Sequence, residues 1–217
     1  MSVDVRSFKT REEWLDARTS CIGGSDAACI IGLNPWKSNV RLWEEKTGRK
    51  EPDDLEENKL VIYGREAEAP LRELFKLDFP EYKIHYIENN MWTNSEYPWA
   101  HASLDGWLED KDGKSGILEI KTTTISSAAQ SAKWHDKIPD NYFCQLLHYF
   151  AVTGMNFAIL KGQLKYEVDT EPSLSVRHYR IDREDVEADI AYLMEKEADF
   201  YERIKNGTPP PLILPTI

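Results

Sequence analysis

The stretch that decides the fold reads Ser103-Leu104-Asp105-Gly106-Trp107-Leu108-Glu109-Asp110-Lys111-Asp112-Gly113-Lys114-Ser115-Gly116-Ile117-Leu118-Glu119-Ile120-Lys121-Thr122. Asp112-Gly113 suits the left-handed backbone of a tight turn, and strand-like runs over residues 99–109 and 116–122 flank it, so an antiparallel hairpin is expected. Side chains alternate along a strand, so Glu119 and Lys121 share one face while Ile120 turns to the core. Asp105 lies near the end of the other strand. Two carboxylates and an ammonium therefore meet on one side of a sheet. Asp105 and Glu119 suit a hard cation such as Mg²⁺, with Mn²⁺ as a substitute, because such ions take oxygen ligands. A bound ion polarises a phosphoryl oxygen and acidifies a water, and Lys121 is placed to orient that water or to stabilise developing charge. The bland reading of the same triplet is a surface salt bridge, since Glu and Lys are common on strands.

Upstream of the hairpin the texture is helical. Thr10 with Glu13 makes a capping-box pattern, and Trp14, Ala17 and Arg18 then share a face. Gly23-Gly24 interrupts. Ser25 is expected to cap a short helix carrying Ala27, Ala28, Ile30 and Ile31, and Ser38 starts another that ends at Gly48. Residues 51–58 read as an acidic loop. A helix follows from Leu60 towards Phe79, with Ala67, Leu71, Leu74 and Phe75 recurring and Pro70 inside it. Residues 83–88 alternate like a strand. Downstream, residues 126–154 return to helix, with Tyr142, Leu146, Tyr149 and Phe150 as one stripe. Two strands (157–164 and 175–181) and an amphipathic helix from Asp182 to Lys205 complete the order. The class is α/β, a small mixed sheet flanked by helices, with residues 1–206 as one domain and 207–217 as a proline-rich tail.

Other residues join the site, each with an ordinary alternative. Glu68 offers a third carboxylate, or a solvated helix face. Gln145 offers an amide to position water or phosphate, or is a plain polar residue between apolar ones. Gly24, Ser25 and Asp26 put backbone N–H groups and a hydroxyl at a helix start, an anion pocket or simply a cap. Arg18 lies one turn earlier and suits a phosphate. His101 and His148 are expected to be structural. Trp36, Trp43 and Trp92 are expected in the core or at a subunit contact.

Composition bounds these readings. A chain of 217 residues suits one domain, and its 41% hydrophobic share with seven Trp excludes a disordered chain. The net charge of −11 argues against coating nucleic acid through a bulk positive field, but leaves room for a local carboxylate centre. Three cysteines without CxxC spacing support neither a disulfide framework nor a zinc site, and point to a reducing, cytoplasmic setting. No apolar run approaches the ~18 residues of a membrane span, and the first residues carry no apolar signal segment, so neither membrane insertion nor export is expected.

Six segments carry a resemblance: Trp14-x-x-x-Arg18, Ile22-Gly23-Gly24-Ser25-Asp26-Ala27, Gly64-Arg65-x-x-Glu68, Ser103-Leu104-Asp105-Gly106, Leu118-Glu119-Ile120-Lys121-Thr122 and Tyr142-x-x-Gln145-x-x-His148-Tyr149. In order and spacing the chain resembles the YqaJ-type viral recombinases over Trp14 to Thr153. That family includes the phage lambda exonuclease and belongs to the PD-(D/E)xK nuclease superfamily. The resemblance implies a restriction-endonuclease-like core and a metal-dependent exonuclease. Such an enzyme degrades one strand of double-stranded DNA from its 5′ end and leaves a 3′ strand for an annealing protein. It implies Glu68, Asp105, Glu119 and the Ile120 carbonyl as metal ligands, Lys121 as catalytic lysine and Gln145 as helper. It also implies Arg18 and Ser25 at the 5′-phosphate, and a toroidal homotrimer. An endonuclease on the same fold, or an inactive subunit that binds DNA ends, are the competing readings. Leu104 stands where proline is usual. No arginine follows Lys121 within residues 122–127, so that either a weaker 5′-phosphate pocket or Lys133 in its place is expected.

Overall fold

The computed structural model describes residues 2–167 and 173–214. Helix α1 (Arg11–Thr19) opens with the expected capping box: Glu13 N–H donates to the Thr10 hydroxyl at 3.1 Å, and Thr10 N–H to the Glu13 carboxylate at 3.3 Å. Helix α2 (Gly24–Ile30) follows, then α3 (Asn39–Lys46), which Ser38 caps through Arg41 N–H. The long α4 (Lys59–Asp78) carries Pro70 without ending there, and Asn58 caps it. Leu71 and Phe75 are buried as the helical spacing predicts, but Leu74 lies outside the stripe and is exposed. Helices α5 (Ala128–Ala132), α6 (Asp140–Thr153) and α7 (Glu187–Lys205) complete the set, with one 3₁₀ turn (Arg183–Asp185) before α7.

Among the described residues, nine strands form two sheets where the sequence suggests one. Strands β3 (Lys83–His85), β6 (Gly106–Glu109), β7 (Ser115–Ile125), β8 (Phe157–Tyr166) and β9 (Ser173–Asp182) make a five-stranded sheet in the order β3-β6-β7-β8-β9. The β6–β7 hairpin turns at Gly113, whose φ of 77° is the left-handed value expected there. Only β7 and β8 run parallel in this sheet, which requires the long crossover through α5 and α6. Strands β1 (Val3–Ser7), β4 (Asn90–Asn94), β5 (Ala100–Ala102) and β2 (Ile22–Gly23) make the second sheet in the order β1-β4-β5-β2. The run expected as one strand over residues 99–109 breaks at Ser103-Leu104-Asp105, so β5 and β6 enter different sheets. Strand β1 alternates Val3 and Val5 with Asp4 and Arg6, but it is exposed along its whole length, so the alternation buries no apolar face.

The five-stranded sheet is covered on both faces. Ile117, Ala158 and Leu160 pack in one cluster with Leu146 and Phe150 of α6 and Leu193 of α7. Leu118, Ile120 and Ile159 pack with Leu71 and Phe75 of α4 in another. Helix α6 is buried continuously from Cys144 to Thr153, wider than the stripe read from sequence. The proline-rich tail is fastened rather than loose: Asn39 Nδ2 donates to the Pro211 carbonyl at 2.7 Å, and Ile213 N–H to Asn39 Oδ1 at 3.1 Å. Residues 215–217 of that tail lie outside the described residues.

An ion pair buried on both sides lies in the core. His148 on α6 and Glu197 on α7 are both fully buried, with Nδ1 to Oε1 at 2.8 Å, and His148 Nε2 donates to the His101 carbonyl at 2.9 Å. Burial opposes the imidazolium, but the Glu197 carboxylate outweighs it and holds the pKa above the ordinary value. Stability from a raised group is fully present below the unfolded value of about 6.5 and fades as pH rises through the folded one. Glu197→Ala strands a buried imidazole, and we expect a loss of about 3–5 kcal/mol in urea unfolding. Glu197→Gln, which keeps an acceptor, should lose less. Equal stability of Glu197→Ala and wild type would remove the pair from the account.

Candidate active site

The site exists because β6 stops short. Its pairing with β7 ends at Gly106 opposite Leu118, so β7 runs on past Glu119 with that edge open while β8 covers the other. Asp105, the residue before β6, takes up the opening: its Oδ2 accepts the Ile120 N–H at 2.8 Å. Glu119 and Lys121 share a face as their parity predicts, and Lys121 Nζ donates to Glu119 Oε1 at 2.6 Å. Gln145 on α6 donates its amide to the same oxygen at 2.9 Å and to the Tyr149 hydroxyl at 2.8 Å. Tyr149 donates onward to the Ser103 carbonyl at 2.9 Å. Glu119 is 2% exposed, and its second oxygen, Oε2, is buried with no partner among the described residues.

The electrostatics follow from crowding. Burial and then the Asp105 charge push Glu119 up to about 8, against the pull of Lys121. Burial and the same Asp105 charge push Glu68 on α4 up to about 7. Burial raises Asp105 too, although Lys121, the Ile120 N–H and Arg72 oppose it. Lys121 pays its own burial cost and is still held firmly charged by Glu119 and Asp105. Three carboxylates from α4, the β5–β6 break and β7 thus act on one another around a single ammonium. Among the described residues, no three His, Cys, Asp or Glu side chains stand close enough to form a ready-made metal cage.

The glycine-rich turn is placed beside this centre, with a different cap from the one expected. Gly23 rather than Ser25 caps α2, because the Asp26 carboxylate reaches back to the Gly23 N–H at 3.0 Å. Asp26 also pairs with Lys46 at 2.8 Å, which with the Gly23 bond keeps its pKa low despite burial. The Asp26 carboxylate therefore serves the turn. Ser25 is exposed. Gly24 has a packing reason: a Cβ there would lie 2.5 Å from the Tyr149 ring and 3.0 Å from Gln145 Cγ. Arg18 lies over the Trp14 ring at 4.1 Å. Lys133 caps the end of α5 and lines a small hollow with Leu33, Pro35 and Lys137. His101 and His148 are structural neighbours of the centre, both buried. Trp43 is buried as expected, whereas Trp36 is 76% exposed.

Two residues that hold Asp105 escape the sequence reading. Asn90 grips Leu104 at both ends, accepting its N–H at 2.8 Å and donating to its carbonyl at 2.9 Å. Arg72 donates to the Asp105 carbonyl at 2.5 Å and lies 3.6 Å over the Tyr86 ring. Arg72 was within reach of pattern reasoning, since it follows Glu68 by four residues and so shares its helix face. Asn90 gives no such sign. We expect Asn90→Ala to leave buried Leu104 groups unpaired and to cost at least ~1–3 kcal/mol in urea unfolding. An unchanged midpoint would mean that water replaces the amide without loss.

Comparison with known proteins agrees with this architecture. The family model of the YqaJ-like viral recombinase domain matches residues 13–156. The uncharacterized protein YqaJ of Bacillus subtilis (strain 168) is 34% identical over 166 residues, covering 74% of this chain and 49% of that protein. The chain thus spans about half the length of the curated relative it matches, the 49% just given. An alkaline exonuclease from Laribacter hongkongensis superposes with a TM-score of 0.67 at 19% identity, over 90% of this chain and 93% of that one. A phage-related exonuclease from Haemophilus somnus 129PT gives 0.56 at 13% identity, over 86% and 96%. At these identities the structural likeness establishes the fold, that of the phage-type exonucleases. The family follows from the match that spans the glycine-rich turn, the Asp105 break and the Glu119–Lys121 strand together: the chain belongs to the YqaJ-like viral recombinase family.

Proposed function

We propose that the protein is a metal-dependent nuclease that digests double-stranded DNA from the 5′ end and leaves a 3′ single strand for an annealing protein. The observation that carries the reading is the open β7 edge, where Asp105, Glu119 and Lys121 meet under Gln145. The donor set fits a hard divalent cation: every candidate ligand is an oxygen, Glu119 Oε2 is buried and unpartnered, and the carboxylates outnumber the one ammonium. Glu68, Asp105, Glu119 and the Ile120 carbonyl are the groups that would hold it. When bound, Mg²⁺ or Mn²⁺ supplies Lewis acidity at the phosphoryl oxygen and a more acidic water.

The chain's own residues supply the rest. Gln145 fixes Glu119 Oε1, so the carboxylate cannot swing away from the open edge. Lys121 stays charged at any physiological pH and brings a preorganised positive charge to the developing phosphorane, where such a charge counts most. Arg18 and Ser25 are the groups we assign to the 5′-terminal phosphate. A fork-shaped guanidinium and a hydroxyl suit a doubly charged monoester better than an internal diester. A ring of three copies would keep a chain of net charge −11 on DNA without a strong positive field.

A time course on linear duplex labelled at its 5′ or its 3′ end, with Mg²⁺ or EDTA, tests the reading. Loss of the 5′ label first, only with Mg²⁺, is expected, and a covalently closed circle should stay intact. Cutting of the circle would give the site to an endonuclease. Lys121→Ala should slow cleavage by ~10²–10³ and leave DNA binding intact. Wild-type turnover in that variant removes the site from the mechanism. Ends carrying 5′-phosphate should be digested faster than 5′-hydroxyl ends, and Arg18→Ala should shrink the difference. Equal rates on both ends in the wild type would return Arg18 and Ser25 to a structural role.

A further inference from the structure

Glu68 and Asp105 are assigned to one cation, yet they come from elements far apart in the chain: Glu68 from α4, Asp105 from the break between β5 and β6. Arg72 joins the two. It lies four residues after Glu68, about 6 Å along the same face of a helix. Its Nη1 donates to the Asp105 carbonyl at 2.5 Å. We propose that Arg72, held down by the Tyr86 ring, is a positioning residue that sets the separation of Glu68 and Asp105 before any cation arrives. The inference rests on the metal-binding reading of these carboxylates and deepens it.

Asp105 is gripped at two points. The Ile120 N–H holds its carboxylate at 2.8 Å, and the guanidinium holds its carbonyl. Arg72 is only 8% exposed, and arginine is rarely buried unless something there needs it. Its hydrogen bond goes to a neutral carbonyl, so its charge is met elsewhere. The Tyr86 ring centroid lies 3.6 Å from the guanidinium carbon, a cation–π contact. The charges of Glu68 and Asp105 act on it as well. Tyr86 directly follows β3, so the sheet places its ring, which is 42% exposed on its outer side. Gly106 leaves the guanidinium stem its room: a Cβ there would lie 3.6 Å from Arg72 Cδ and 3.2 Å from the His85 carbonyl. Pro70 sits between Glu68 and Arg72 and lacks the N–H that would close the helical turn, so this part of α4 gains from an outside anchor. Two like charges on separate elements repel. A site whose spacing is fixed beforehand spares the cation the cost of drawing them together.

Calorimetric titration of the full chain with Mn²⁺, without DNA, tests the inference. Arg72→Gln should weaken Mn²⁺ by about 10- to 100-fold, the usual effect of losing a group that orients a metal ligand. The sign is decisive, because charge alone predicts the reverse: taking a cation away from beside a cation site tightens it. Tyr86→Ala should weaken Mn²⁺ too, by no more than about 30-fold, the most that one cation–π contact accounts for. Tyr86→Phe keeps the ring and should restore the affinity. The double variant should bind no worse than Arg72→Gln, because the ring acts only through the guanidinium. Tighter or unchanged Mn²⁺ binding in Arg72→Gln overturns the proposal, as does additivity of the two losses. Should Arg72→Gln fail to fold in urea titration, Tyr86→Ala decides, since its ring is half exposed. Unchanged affinity there overturns the proposal and leaves Arg72 as a mere anchor for α4. Wild type that binds Mn²⁺ but digests no duplex, with both losses still seen, refutes the nuclease reading alone. Wild type that digests duplex while Arg72→Gln binds Mn²⁺ normally refutes the role of Arg72 alone. Wild type that binds no Mn²⁺ overturns both.

Discussion

The hydrogen bond from the Ile120 N–H to Asp105 Oδ2 stands where a sixth-strand residue would otherwise continue the β6–β7 ladder. A backbone amide near the middle of a sheet must be paired, and here a side chain does the pairing. That exchange lets β6 end at Gly106, sends β5 into the other sheet and leaves the edge of β7 open from Glu119 onward. Had the ladder continued, a strand residue would hold the Ile120 N–H and the Asp105 carboxylate would not be drawn to this edge. The bond also fixes one oxygen of Asp105, so its carboxylate sits at a set angle to Glu119. Arg72 and Asn90 work on the same short segment, holding the Asp105 carbonyl and both backbone groups of Leu104.

Burying acids together sets the character of the centre. In water each carboxylate would be ionised well below neutrality. Here burial and mutual repulsion bring Glu68 to about 7 and Glu119 to about 8. Lys121 relieves part of that repulsion, and Gln145 can relieve none of it because it is neutral. The arrangement therefore favours a further cation, and its energy is carried by the well-packed surroundings: α6 is buried through ten residues and cross-linked to α7 by His148 and Glu197.

What the sequence makes legible is local. The hairpin at Asp112-Gly113, the shared face of Glu119 and Lys121, the Thr10–Glu13 box and the apolar side of α7 each depend on residues a few positions apart. What it hides is the result of distant pieces meeting. The split between β5 and β6 has no breaker at Ser103-Leu104 to announce it. The cap of α2 is Gly23 rather than Ser25, through the Asp26 carboxylate, and that carboxylate is also held by Lys46 on another helix. Gly24 looked like an anion turn, and its immediate constraint is the Tyr149 ring of α6. Tryptophan is expected in the core or at a contact between subunits, and Trp36 is not in the core of the single chain, where it is exposed.

Leu104 ties these observations to one of the two departures from the family pattern. A proline before the aspartate would stiffen the chain by its ring but carries no N–H. Leucine brings an N–H into a buried turn, and that donor needs a partner there. Asn90 Oδ1 is the partner, at 2.8 Å, a bond that proline at this position could not make. The same asparagine closes on the Leu104 carbonyl, and its own carbonyl accepts the Trp14 Nε1–H at 3.0 Å. Trp14 in turn lies under Arg18. Rigidity that a ring would supply covalently is thus supplied by a side-chain clamp, and the clamp links the Asp105 turn to α1 and its guanidinium. Leu104, Asn90, Trp14 and Arg18 thus form one chain of contacts, which a proline ring at position 104 would not begin.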